Sequence, residues 1–176
     1  MRLIGSDITF LDDKGRTAMP ARFREAVAAI SRNAGIEQGP YSLMVVPWFD
    51  DQCLRAFALP TFDQKVAQFE AQLAGERAFE RGRDETWLER TLYGDARELT
   101  PDGSGRVLMP SELRVLARLE REVMWKGMRD CIEIWNPTVY EEARVREAAR
   151  ARAVLANYSP PAAGSPLSPI RAPGES

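Results

Sequence analysis

Residues 12–24 read Asp12-Asp13-Lys14-Gly15-Arg16-Thr17-Ala18-Met19-Pro20-Ala21-Arg22-Phe23-Arg24, and residues 102–114 read Asp102-Gly103-Ser104-Gly105-Arg106-Val107-Leu108-Met109-Pro110-Ser111-Glu112-Leu113-Arg114. The two align without a gap: the Asp, Gly, Arg, Met, Pro and closing Arg are identical, and Phe23 pairs with Leu113. A helix-like stretch follows each copy, then two strand-like apolar runs, 43–46 and 53–57 in the first, 123–127 and 131–135 in the second. The second run of each pair starts at a cysteine, Cys53 or Cys131, so the repeat is a whole supersecondary unit.

Each copy has a physical reading. Asp-x-x-Gly-Arg suits a tight turn, because the Asp side chain accepts backbone N–H groups and glycine takes the backbone conformation that other residues avoid. The Arg opens a short strand that stops at Pro20 or Pro110, and proline suits the first turn of the helix that follows. Strand, turn, strand, helix and hairpin, twice over, predict a mainly β fold with helices and pseudo-twofold symmetry.

Around the repeat the chain divides into a first half (1–60), a helical insert (61–97), a second half (98–137), a C-terminal helix (138–157) and a tail (158–176). In the insert, Phe62, Val66, Phe69 and Leu73 recur at helical spacing and predict a core-facing helix over 62–81. Trp87, Leu88 and Leu92 predict a partner helix over 81–97. The stretch 139–156 is rich in Ala, Arg and Glu, with acids early and arginines late, as a helix dipole favours. The stretch 159–176 holds five of the twelve prolines and is expected to be disordered.

Composition excludes much else. With no histidine in 176 residues, neither a Ser-His-Asp or Cys-His catalytic group nor a His-containing zinc site can be built within the chain. Two cysteines are too few for a disulfide scaffold or a four-thiolate metal site, and read as small buried hydrophobes. No cofactor is expected. Neither a membrane-spanning run nor a signal-like N-terminus is present, which predicts a soluble cytoplasmic protein. The acid clusters Asp12/Asp13 and Asp50/Asp51 lie in turns and make an enzymatic role the weakest reading.

The net charge of −2 argues against a polyanionic partner until it is divided along the chain. The acidic excess sits in the insert, whereas 14–24 carries four basic residues and no acid. Local field, not net charge, steers a polyanion. Of the 24 basic residues 21 are arginine, suited to bidentate recognition of phosphate and guanine.

The duplicated motif resembles that of the MraZ family of bacterial transcriptional regulators, within the AbrB-like swapped-hairpin superfamily, whose mark is a pair of Asp-x-x-x-Arg motifs. Here they stand as Asp12 to Arg16 and Asp102 to Arg106, each followed by the Pro and Arg of the family pattern, and the resemblance runs from about Gly5 to Tyr140. It implies two tandem AbrB-like halves forming a small double-split β-barrel, and a homo-oligomeric ring of about eight to twelve subunits. It implies a nucleoid-associated repressor that binds double-stranded DNA at short direct repeats upstream of its own division and cell-wall gene cluster. Extra residues around 31–41 and the Pro-rich tail depart from the pattern.

Lys14, Arg16, Arg22 and Arg106 are the expected DNA-binding residues. Asp12, Gly15, Pro20, Arg24, Asp102, Gly105, Pro110 and Arg114 are expected to build the motif. For Arg16 and Arg106 an ion pair with their own motif Asp stands beside DNA contact as an alternative. Lys14, at the turn tip where the second copy has Ser104, points to stronger contact by the first half. A rival reading keeps the fold and makes the chain an antitoxin whose tail wraps a toxin.

Overall fold

The structure is a computed structural model that describes residues 2–48, 52–75 and 90–156. The chain divides into two compact units, Met1–Ala143 and Arg144–Ser176. The first holds every strand among the described residues. The second is described through Ala156 as the continuation of the C-terminal helix.

In chain order the elements are β1 (Leu3–Phe10), β2 (Arg16–Ala18), α1 (Ala21–Asn33), β3 (Leu43–Trp48), β4 (Cys53–Ala58), α2 (Leu59–Gly75), a π-helical turn (Arg90–Gly94), β5 (Arg97–Leu99), β6 (Arg106–Leu108), α3 (Ser111–Leu116), β7 (Glu122–Arg129), β8 (Ile132–Trp135) and α4 (Pro137–Ala156). Six strands form one antiparallel sheet in the order β1-β7-β8-β4-β3-β5, and β2 pairs with β6 in a separate two-stranded ribbon. The fold is mainly β with helices, as the repeat predicts.

The sheet order reads the same from both ends in terms of the repeat. β1, from the first copy, lies against the hairpin of the second, and β5, from the second copy, lies against the hairpin of the first. At the centre β4 meets β8 about the pair Arg55↔Glu133. These equivalent positions carry opposite charges and form an ion pair at 3.2 Å, with the Glu133 side chain only 6% exposed.

Period-two alternation puts two different apolar faces on this sheet. Leu43, Val45, Leu54, Ala56, Val123, Trp125, Ile132 and Ile134 join Met19, Phe23, Val107, Met109 and Leu113 in the principal core, which therefore lies between the sheet and the ribbon with its helices. On the opposite face, Val46, Phe57 and Cys131 pack with Phe62 of α2, while Cys53 and Trp135 pack with Val139 and Ala143 of α4. Both cysteines are buried, as expected.

Three expectations need correction. The closed barrel is not formed: the sheet is open, with β1 and β5 at its edges. The ribbon strands are three residues long, end ahead of Pro20 and Pro110, and reach the sheet by one isolated bridge, Leu11↔Thr17. Proline has no N–H to extend such a ladder. The last strand starts at Ile132 rather than Cys131, because Asp130 and Cys131 form the turn, where the Met128 N–H donates to the Cys131 carbonyl at 2.8 Å. Helix α2 starts at Leu59, three residues early. The expected partner helix falls largely, and the tail wholly, outside the described residues.

Gly127 pairs with Gly5 in the β1–β7 register, and a Cβ on it would lie 2.5 Å from the Ile4 nitrogen and 2.6 Å from the Leu3 carbonyl carbon. Because those atoms are backbone, β1 must shift to admit one. Gly127→Ala is expected to lower unfolding stability by about 1–3 kcal/mol in urea titrations, in the range typical of overpacking, with amide exchange accelerated first along β1.

Candidate nucleic-acid interface

The two Asp-x-x-x-Arg motifs fold into matching turns. In the first, the Asp12 N–H donates to the Arg16 carbonyl at 2.8 Å and the Gly15 N–H to the Asp12 carbonyl at 2.9 Å. Asp12 Oδ1 accepts the backbone N–H groups of Lys14 (2.9 Å) and Arg16 (2.8 Å), while Oδ2 accepts Arg16 Nε at 2.8 Å and pairs with Nη2 at 2.7 Å. The second turn repeats every bond. Asp102 Oδ1 accepts the N–H groups of Ser104 (2.9 Å) and Arg106 (3.0 Å), and Oδ2 accepts Arg106 Nε at 3.0 Å and pairs with Nη2 at 2.9 Å. Gly15 and Gly105 sit at φ +77° and +75°, the left-handed region where a side chain is strained.

The electrostatics follow from these bonds. The Arg16 N–H first, then the Arg16 side chain, hold the Asp12 carboxyl down at a pKa of about 2 against an ordinary 3.8. Asp102 is lowered in the same way, chiefly by the Arg106 N–H. The ion pair expected as one role of each Arg is therefore present. It leaves the guanidinium outward, with the Arg16 and Arg106 side chains 32% and 40% exposed.

The turns are locked across the repeat. The Met19 N–H donates to the Gly105 carbonyl (3.0 Å) and the Met109 N–H to the Gly15 carbonyl (2.8 Å), at either end of the β2–β6 ladder. Arg24 donates through Nη1 to the Met19 carbonyl at 2.6 Å, and its guanidinium fills the space a Cβ on Gly105 would need. Arg114 stands in the same relation to Gly15, its Cζ lying 3.2 Å from where that Cβ would be. Each helix arginine thus buttresses the other copy's turn, and Pro20 and Pro110 cap the helices that carry them.

In the ribbon, Thr17 and Val107 point into the core, and Arg16, Ala18, Arg106 and Leu108 share the outward face, with Leu108 57% exposed. Lys14 sits exposed at the tip of the first turn, its side chain in no ion pair or hydrogen bond among the described residues. Arg22 is drawn elsewhere: it pairs with Asp7 of β1 at 2.5 Å, lies over the Phe23 ring at 5.0 Å, and covers Gly5. Sequence reasoning missed Asp7 and Gly5 as its partners, since neither belongs to the repeated motif. It missed likewise the relay in which Trp125 Nε1 donates to Thr9 Oγ1 at 2.8 Å and Thr9 shares a 2.8 Å hydrogen bond with Thr17, tying sheet to ribbon.

Comparison with known proteins places this arrangement. Residues 92–155 match the family model described as "MraZ protein, putative antitoxin-like". The chain is 34% identical over 136 residues to proteins named "Transcriptional regulator MraZ" from Burkholderia vietnamiensis and Burkholderia multivorans, covering 77% of this chain and 83% of each relative. A Burkholderia cenocepacia protein of the same name is 33% identical over the same shares.

Because folding depresses the Asp12 and Asp102 pKa values, the turns' contribution to stability is complete above the ordinary carboxylate range and is lost in acid as each carboxyl protonates, for Asp12 as the pH falls from about 4 toward 2. Stability measured by thermal melts is expected to show this acid loss, and Asp12→Asn should flatten part of it. Gly105→Ala is expected to displace Arg24 and cost about 1 kcal/mol or more from the positive φ alone, read as a lower urea midpoint.

Proposed function

The chain belongs to the MraZ family, and from that membership we propose that it is a sequence-specific DNA-binding transcriptional regulator rather than an enzyme. The observation that carries the reading is the two-stranded ribbon with Arg16 and Arg106 on one outward face and Lys14 at its first turn. A two-stranded ribbon is a shape the major groove of DNA admits, and the paired Asp residues orient both guanidinium groups before any ligand arrives. In this reading Lys14, Arg16 and Arg106 contact DNA directly. Arg22, tied to Asp7, reaches phosphate only from that pair. The two halves, 1–60 and 98–137, act as tandem swapped-hairpin units, each lending its first strand to the other's hairpin.

The finer reading makes the chain a cytoplasmic, nucleoid-associated repressor acting at direct repeats upstream of its own division and cell-wall gene cluster, as a ring of identical subunits. Assembly has support in β1, an edge strand with free backbone groups and with Ile4, Ile8 and Phe10 exposed by 66%, 50% and 59%. Such a strip invites a protein partner, and a second copy of the chain is the simplest one. A ring presents the same ribbon many times, so modest contacts act together on repeated sites. The antitoxin reading has the wording of the matched family model in its favour. A ring-sized mass by light scattering, with no small protein co-purifying, decides for the regulator.

Gel shifts on the DNA upstream of the chain's own gene test the interface. Arg16→Ala and Lys14→Ala are expected to weaken binding by tenfold or more, with assembly mass unchanged. Affinity should fall with salt at a log–log slope of about −0.9 per phosphate contacted, and Lys14→Ala should reduce that slope by about one contact. Unchanged binding in both variants overturns the site.

A further inference from the structure

The outward face of the β2–β6 ribbon is not polar throughout. Its register sets Arg16 opposite Leu108 and Ala18 opposite Arg106. The Met109 N–H donates to the Gly15 carbonyl and the Met19 N–H to the Gly105 carbonyl, so the alternation of an antiparallel ladder puts both outward pairs at non-hydrogen-bonded positions, where side chains stand closest. Leu108 therefore has Arg16 across the ladder and Arg106 two residues back on the same face. Its side chain is 57% exposed, while its neighbours Val107 and Met109 are buried and fix the backbone beneath it.

An uncharged apolar side chain gains nothing from phosphate. Base edges in the major groove present hydrogen-bonding groups and one apolar feature, the C5 methyl of thymine. Against the cytosine amino group or guanine O6, Leu108 would strip water from a polar group and return no hydrogen bond, which is costly. Against the thymine methyl, two apolar surfaces leave water together. The first copy has Ala18 at the equivalent position, too short to reach as far, so this contact belongs to the second copy.

Resting on the DNA-binding reading above, we propose that Leu108 is a specificity-determining residue that contacts the C5 methyl of a thymine in the major groove. Arg16 and Leu108 start about 5 Å apart and base pairs rise by about 3.4 Å, so this thymine lies one or two pairs from the pair that Arg16 contacts. Lys14 and the arginines bring charge to the duplex. Leu108 brings none, and its effect falls on which duplex is bound rather than on the salt dependence.

The test is fluorescence anisotropy of the full chain on the DNA upstream of its own gene, with thymines replaced in turn by deoxyuridine, which lacks only that methyl. At one or more positions the replacement is expected to weaken wild-type binding about three- to fivefold, as losing the burial of one methyl group does. Leu108→Ala should weaken binding to the unmodified duplex by at least as much, bind thymine and deoxyuridine duplexes equally, and keep the wild-type salt slope. Leu108→Met should restore the preference for thymine. The proposal is overturned if deoxyuridine weakens the wild type and Leu108→Ala equally, which assigns the effect to duplex shape. It is overturned too if no replacement affects the wild type, or if Leu108→Ala changes the assembly mass in light scattering, which makes Leu108 a subunit contact. In each of these cases, loss of binding in Arg16→Ala leaves the DNA-binding reading standing. A wild-type chain that does not bind this DNA, or binding unchanged in both Arg16→Ala and Lys14→Ala, removes that reading and the role of Leu108 together.

Discussion

Two backbone hydrogen bonds, from Met19 to Gly105 and from Met109 to Gly15, join the copies of the repeat, and most of the architecture hangs on them. Strands of three residues do not hold themselves together. β2 and β6 persist because, among the described residues, each is the other's ladder partner, and because the turn before each strand supplies the carbonyl that ends the other's ladder. With the ribbon closed, Thr17 and Val107 are driven into the core and Arg16 and Arg106 are left outside. The same closure brings Arg24 over Gly105 and Arg114 over Gly15, so a glycine required by its own turn also clears room for the other copy's arginine. Neither motif is complete alone.

How much of this could be read from residues depends on distance along the chain. The Asp-x-x-Gly-Arg turns were legible because all their bonds fall within five residues, and turn chemistry of that kind is local. The hairpins and α1, α2 and α4 were legible from periodicity, from Pro20 and from the placement of acids and arginines along 139–156, with errors of a few residues at their ends. What was not legible is partner choice. That β1 crosses to β7, and that Arg22 answers to Asp7 rather than standing free, is set by tertiary contacts between segments whose local sequence carries no sign of each other. The barrel expectation failed for the same reason: local pattern specifies strands, whereas closure depends on how edges meet.

The copies share a backbone but not a charge pattern. Lys14 is matched by Ser104 and Arg22 by Glu112, so the first copy carries two cations where the second carries a neutral residue and an acid. Glu112 is lowered by its own N–H, then by the Ser111 hydroxyl, with Arg97 adding to the effect, and Arg97 occupies in β5 the place that Asp7 occupies in β1. The charges of the Arg22–Asp7 pair are thus reversed at the equivalent positions beside the second helix, where Arg97 Nη1 instead donates to the Gly94 and Ala96 carbonyls. A face built this way is not symmetric: the two copies present different charges at equivalent positions.

The Arg55–Glu133 pair at the centre of the sheet carries the same reversal to the place where the copies meet. Were a first half to pair with another first half, two guanidinium groups would face each other across the seam. Two second halves would set carboxylate against carboxylate, in a setting where Glu133 is almost wholly shielded from water. Like charges buried together reject a wrong partner more strongly than a correct pair rewards the right one. The seam therefore favours the union of a first half with a second over the union of two like halves.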